Sequence, residues 1–232
     1  LGITKRTPEN AADNAGIKIV TGDTKVVEKG KGDKIFINTS GIGQIHSKAN
    51  IHHNNIKEGD IVIVSGNIAN HGIAIMSLRE GLSFDTTIQS DTANLNHIII
   101  ALIEKFGAQI KFLRDPTRGG VASVLNEIAE ITQLSFLLDQ NKIPVNESVE
   151  GACEMLGLDP MYVANEGLFV AVVDSSIANS FLEILQKDKN GTQAAIIGEV
   201  TNIHPGKVIM KSRIGGKRVV NYLTGEQLPR IC

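Results

Sequence analysis

The residues best placed to do chemistry begin at the end of the chain, where Pro229-Arg230-Ile231-Cys232 puts a thiol on the last residue. Nothing follows Cys232 to bury it, and Thr224-Gly225-Glu226-Gln227 reads as a solvated linker. A thiol on such a tether reaches sites elsewhere on the chain or on a partner. A free cysteine titrates near ~8.5 and needs a positive environment to become a nucleophile. Arg230 supplies one positive charge, and the terminal carboxylate offsets it. Cys232 is therefore better suited to carrying a group that is attached to it than to attacking unaided. The plainer reading, a terminal cysteine without a role, stays open on the tail alone.

Three internal stretches carry further candidates. Arg114-Asp115-Pro116-Thr117-Arg118-Gly119-Gly120 leads into an expected helix. Helix N-termini present backbone N–H groups that favour an anion, and a glycine pair lets a ligand approach. Asp115 would then offer a hard oxygen to a metal and Arg118 a charge clamp for phosphate. Ordinary capping by Asp115 or Thr117 explains the same residues. Gly22-Asp23-Thr24-Lys25 follows an expected strand and sets a carboxylate two residues before an ammonium group; a solvated turn is the competing reading. Asn165-Glu166-Gly167 precedes an apolar strand, so Glu166 is expected near a sheet end, where partial burial would raise its pKa towards acid–base use. A turn carboxylate is again the alternative. Asn70-His71-Gly72 reads as a helix start with Asn70 as N-cap. His46, His52 and His53 have no nearby cysteine and fit no common zinc spacing.

The elements that must position these groups follow from periodicity. A helix is expected over residues 7–16, closed by Gly16, with strands over 17–20 and 34–45. Residues 46–59 are polar and mark the expected domain boundary. A buried-type strand follows at 61–64. Helices are expected over 71–80, 93–106, 119–132, 147–156 and 176–187. In the third of these, Val121, Val124, Leu125, Ile128 and Ile131 recur at helical spacing. Strands are expected at 168–173, 194–200, 207–210 and 218–220. Mixed order with hairpin-like pairs predicts an α+β fold.

Bulk properties narrow the function classes. Apolar residues make up 42% of the chain, which places it among globular proteins. There is no Trp and only 4% aromatic residues, and Lys+Arg 23 against Asp+Glu 25 leave a net charge of -2. Stacking platforms and a basic stripe are both lacking, so nucleic acid is not an expected partner. The longest apolar run, 98–103, is too short to span a bilayer, and no membrane partner is expected. The start lacks the apolar core of a signal peptide. With only Cys153 and Cys232, a disulfide framework is not expected, and a reducing cytoplasm is the default. The first residue is Leu1 rather than Met, so the chain is expected to be a fragment.

Taken together, Gly22-Asp23-Thr24-Lys25, the run 114–120, Ala164-Asn165-Glu166-Gly167, Gly198-Glu199-Val200 and the terminal Pro-Arg-Ile-Cys resemble the HypE family. Its members are hydrogenase maturation proteins, also called carbamoyl dehydratases. They belong to the superfamily of aminoimidazole ribonucleotide synthetase and selenophosphate synthetase. The run 114–120 points to the superfamily and the tail to HypE, and the resemblance covers essentially the whole chain. One departure is Asn70, where an acidic residue is expected before His-Gly.

The resemblance implies a two-domain aminoimidazole ribonucleotide synthetase-like fold. Residues 1–57 would be the remainder of an N-terminal domain that forms a β-barrel on dimerisation and supplies much of the ATP site. Residues 58–223 would form a complete C-terminal α/β domain, and 224–232 a tail. The implied reaction loads a carbamoyl group from HypF onto Cys232 and dehydrates it with ATP to a thiocyanate. The cyanide passes to iron for a [NiFe]-hydrogenase, with the HypC–HypD complex as acceptor. By matching motifs, Asp23 and Asp115 would bind Mg²⁺, Arg118, Gly119 and Gly120 the ATP phosphates, and Lys25 and Glu166 would orient or deprotonate the carbamoyl group. The full-length protein is expected to be a homodimer. A non-catalytic carrier that docks maturation partners is the alternative, and it would bind no nucleotide.

Overall fold

The computed structural model describes residues 8–31, 36–81 and 88–223. Its contacts divide the chain into two compact units, Leu1–Ser47 and Lys48–Cys232. The division falls before the expected boundary at 57/58 because residues 48–56 pack onto the second unit. Ile56 is buried there, Ala49 and Ile51 lie against its core, and Lys48 Nζ sits 3.0 Å from Glu104 Oε2.

In the first unit, α1 (Pro8–Ala15) forms as expected and ends before Gly16. Its remaining described residues hold no strand, so the strands expected at 17–20 and 34–45 are not seen. Residues 34 and 35 lie outside the described residues. The physical reason is pairing: cross-strand contacts stabilise a strand, and no described segment pairs with these. Their β-branched and aromatic side chains stay exposed, Val20 at 88% and Phe36 at 82%.

The second unit is built on one seven-stranded sheet. Its elements run β1 (Ile61–Val64), α2 (Asn70–Glu80), α3 (Asn96–Phe106), β2 (Ile110–Arg114), α4 (Gly120–Thr132), β3 (Ser135–Asp139), α5 (Glu147–Leu156), β4 (Val170–Val173), α6 (Ala178–Lys187), β5 (Ala195–Thr201), β6 (Val208–Lys211) and β7 (Lys217–Val220). The strand order is β2-β4-β1-β5-β3-β6-β7. Every pairing is antiparallel except β3 with β6. This mixed sheet with helices is the expected α+β fold.

Alternation along β1 explains the layering. Val62 and Val64 face one side, with α4 residues Val121, Val124, Leu125 and Ile128. Ile63 faces the other, among Leu102 of α3 and Phe181 and Leu185 of α6. Central strands covered on both faces read as unbroken apolar runs, as Ile61-Val62-Ile63-Val64 and Val170-Ala171-Val172-Val173 do. Each fully buried aliphatic side chain contributes roughly 1.5–3 kcal/mol. On α4 the expected stripe holds for four positions, but Ile131 is 60% exposed. The buried Asn126 ties α4 to the sheet edge, its Nδ2 donating to Val220 O at 3.0 Å. Strands β2 and β3 were not anticipated from the sequence. A third cluster joins Ile73 and Met76 of α2 to Val149 and Cys153 of α5.

Candidate functional site

The expected site residues lie in both units. In the first, Asp23 and Lys25 are exposed on a segment without regular secondary structure, and Asp23 Oδ1 accepts the Thr24 backbone N–H at 2.8 Å. In the second, Asp115 and Arg118 are exposed on the loop between β2 and α4, while Glu166 is half-buried just before β4. Cys232 and the rest of 224–232 lie outside the described residues.

The loop after β2 is shaped by its glycines. The residue that caps α4 is Gly119, at φ 71, and no side chain makes a capping hydrogen bond there. The capping role considered for Asp115 and Thr117 is therefore absent. Gly120 has φ +60, and a Cβ on it would come within 2.5 Å of Met161 O and 2.7 Å of Val163 O. Only glycine lets the helix start sit against the 161–163 backbone in that conformation. Arg114, at the end of β2, reaches along α4 to Glu127 at 3.3 Å and lies 3.8 Å from Asp115.

Asn165 knits this loop to Glu166. Fully buried, it accepts the Ala69 N–H at 2.7 Å and donates through Nδ2 to Pro116 O at 3.0 Å and Val163 O at 2.9 Å. Its own backbone N–H also donates to Pro116 O, at 3.2 Å. Three distant segments meet there: the start of α2, the loop bearing Asp115, and the approach to β4 bearing Glu166. The N-cap of α2 is Ala69 rather than the expected Asn70. Ala69 adopts φ 73, a left-handed conformation costing an L-residue about 1–2 kcal/mol, and Asn165 holds it. Asn70 is instead the first helical residue and accepts from Asn146 Nδ2 at 3.0 Å. Asn146 in turn accepts from Asn67 at 2.7 Å.

The sequence did not reveal Asp91. The Glu166 backbone N–H donates to Asp91 Oδ1 at 3.0 Å. Gly167 lies so close to the Asp91 backbone that no side chain fits between them. Asp91 Oδ2 is buried with no hydrogen-bond partner among the described residues. Burial raises the Asp91 carboxyl above the ordinary carboxylate range, partly offset by the Glu166 N–H and the charge of His71. Next to it, His71 Nδ1 lies 2.9 Å from Ser90 Oγ, itself 2.7 Å from Thr92 Oγ1. Ser90, Asp91 and Thr92 border a cavity of about 290 Å³, whose walls also include Asn67, Asn70, Gly167 and Gln193.

Other candidates resolve into structure. His52 caps the short turn His53–Asn55 by accepting the Asn54 N–H at 3.1 Å. A Cβ on Gly198 would meet Leu137 O at 2.3 Å, so Gly198-Glu199-Val200 serves the sheet. Cys153 is buried, and burial together with Asp159 and Glu150 pushes its thiol up to about 11. No group of three or more His, Cys, Asp or Glu converges among the described residues. Single exposed carboxylates such as Asp23 and Asp115 suit Mg²⁺, which takes one or two carboxylates and completes its shell with water and phosphate oxygens. Among the described residues no helix is long and apolar enough to cross a membrane.

Comparison with known proteins agrees with this fold. Residues 57–211 match the family model "AIR synthase related protein, C-terminal domain". The chain is 47% identical to carbamoyl dehydratase HypE of Rhizobium leguminosarum bv. viciae, over 96% of its own length and 63% of that protein's. It spans less than two thirds of that relative. Among solved structures, a HypE–HypF complex matches with TM-score 0.89 and 49% identity, covering 93% of this chain and 70% of the other. A HypE in complex with ATP matches with TM-score 0.91 and 42% identity, covering 96% and 67%. With the Asp115 loop, the Asn165 node and the Glu166 turn in place on this fold, the chain belongs to the HypE family of hydrogenase maturation proteins.

Proposed function

We propose that this chain is the greater part of an ATP-dependent carbamoyl dehydratase that works on its own C-terminal cysteine. The carbamoyl group comes from HypF, becomes a thiocyanate on Cys232, and passes as cyanide to the HypC–HypD complex for the iron of a [NiFe]-hydrogenase. The observation that carries this reading is the Asn165 node, which fixes Glu166 beside the half-buried Asp91, with Asp91 and Gly167 lining a polar cavity. A relative solved with ATP and another solved with HypF support the co-substrate and the donor.

An amide-type oxygen leaves poorly, so it must first become a phosphate ester. Arg118 and the α4 N-terminus at Gly119 and Gly120 would hold the phosphates by charge and by backbone N–H groups. Asp23 and Asp115 would hold Mg²⁺, whose chemistry is to neutralise and orient phosphate oxygens. Lys25 and Glu166 would orient the carbamoyl group and manage its protons, and Cys232 would carry it throughout. The working, full-length protein would be a homodimer.

The exposure of Asp23 and Lys25 on an irregular segment favours one second reading, a carrier without catalysis. Lys25→Ala and Glu166→Ala separate the two readings. Each variant, in a protein of the relatives' full length, is expected to accept the carbamoyl group yet fail to dehydrate it. Dehydration at the wild-type rate in either variant would remove that residue from the mechanism, and the absence of ATP binding to the unmutated protein would favour the carrier.

A further inference from the structure

Two strands of the sheet carry the sequence of a strand covered on both faces, yet helices cover only one. Phe136-Leu137-Leu138 of β3 and Val208-Ile209-Met210 of β6 are unbroken apolar runs, the pattern of doubly buried strands. Phe136, Leu138, Val208 and Met210 pack in the cluster that includes α4. On the opposite face α3 and α6 cover β2, β4, β1 and Ile196 of β5, and no residue of β3, β6 or β7 belongs to their cluster. Leu137, Ile209 and Val219 stand in register across that uncovered half, Val219 being 45% exposed. Three strands about 4.8 Å apart form a strip about 10 Å wide, the width of one helix.

Charge flanks the apolar row. Asp139, Lys211 and Lys217 come next along the same face, again in register, and Lys142 follows β3. These four, with Ile61, Leu137, Ile196 and Glu199, border a cavity of about 280 Å³. Leu137 and Lys217 also line a smaller cavity with Ser135, Ile203 and Ile209, so the groove continues along the strands. Asp139 Oδ1 is occupied by the Asn141 N–H at 3.0 Å. None of the three lysines forms an ion pair among the described residues. Lys142, Lys211 and Lys217 against Asp139 and Glu199 leave the groove positive, in a chain whose net charge is -2.

Resting on the function proposed above, we propose that the β3-β6-β7 face is the docking surface for a maturation partner that lays an acidic amphipathic helix along these strands. The apolar stripe of that helix covers Leu137, Ile209 and Val219, and its carboxylates meet Lys142, Lys211 and Lys217. An apolar strip rimmed by charge of one sign marks an interaction site, and each part has its task. Burial of the stripe gives affinity, while the lysines set the direction of the helix and reject basic segments. A second copy of this chain is the weaker occupant, because the same face turned on itself brings no acidic row to the lysines. The surface lies on the sheet face opposite α4, so its lysines are no part of the helix start at Gly119 and Gly120.

The test is the double variant Lys211→Glu/Lys217→Glu in a protein of the relatives' full length. Both side chains are exposed, so the fold is expected to hold, which urea unfolding checks. Affinities for HypF and for the HypC–HypD complex are measured at low and at physiological salt. Affinity for one of the two is expected to fall roughly tenfold or more, most steeply at low salt, while the other stays unchanged. Unchanged affinity for both overturns the proposal. So does loss of self-association in the variant, which would make the face an interface between copies. An unmutated protein that binds neither partner would be the failure of the function itself, and a second measurement then decides the surface alone. Methyl spectra of the present chain are recorded with a helical peptide of about five turns that bears a leucine stripe flanked by glutamates. The same peptide with lysines in place of the glutamates is the control. Shifts at Leu137, Ile209 and Val219 with the acidic peptide alone support the surface; equal shifts with both peptides, or none, contradict it.

Discussion

Replacing Asn165 with alanine removes three side-chain hydrogen bonds from a fully buried position. The losses are unequal. Pro116 O keeps the Asn165 backbone N–H at 3.2 Å, so it is weakened rather than stranded. The Ala69 N–H and Val163 O lose the partner that Asn165 gave them. Two stranded groups at about 1–3 kcal/mol each, with a smaller loss at Pro116, predict a destabilisation of about 3–5 kcal/mol. That is a large fraction of a typical domain's stability of about 5–15 kcal/mol. Urea unfolding of the variant and the unmutated chain, with equal slopes, measures it. Asn165→Asp is the control. It retains the acceptor for Ala69 but sets a carboxyl oxygen against two carbonyls. The introduced carboxyl would therefore titrate above its unfolded value, so this variant loses stability as pH rises and regains part of it as pH falls. A loss below about 1 kcal/mol for the alanine variant would refute the claim that Asn165 holds the site together.

Two further outcomes follow from the site's surroundings. Gly120→Ala puts a Cβ within 2.5 Å of Met161 O at φ +60, so it should cost at least about 2 kcal/mol and displace the Arg118 loop. Unfolding curves and ATP titration of the full-length protein read the two effects, and unchanged values for both would contradict the packing role. Cys153, buried and with its thiol pushed up to about 11, should resist alkylation at neutral pH in the native protein. Peptide mass mapping after brief iodoacetamide treatment should find Cys153 unmodified, and rapid labelling there would show the thiol to be accessible.

Much of the second unit was legible in the sequence because its signals are local. The runs at 61–64 and 170–173 read directly as central strands, and α4 as an amphipathic helix. Strands β2 and β3 escaped because Ile110-Lys111-Phe112-Leu113-Arg114 and Ser135-Phe136-Leu137-Leu138-Asp139 are short and mixed, and pairing with β4 and β5 makes them strands. The opposite error arose at 17–20 and 34–45, where β-branched residues suggested strands whose described residues find no partner among the described residues. Glu166 was legible as a carboxylate beside a sheet end. Asp91 was not, because Ser90-Asp91-Thr92 looks like any polar lead into a helix. It acquires meaning only from Glu166, 75 residues further on. Asn70 was read as the cap of α2 by its type, whereas Ala69 holds that position, its own N–H bound by Asn165 from 96 positions away.

The central claim is that Cys232 carries the group this fold dehydrates. The most direct test is the mass of the C-terminal peptide after incubation with HypF, carbamoyl phosphate and ATP, for this chain and for a protein of its relatives' full length. The account predicts a carbamoyl group on Cys232, followed by loss of water in the full-length protein. Carbamoylation without loss of water in both would leave a carrier and remove the dehydratase. No modification of Cys232 in either protein would contradict the account at its root.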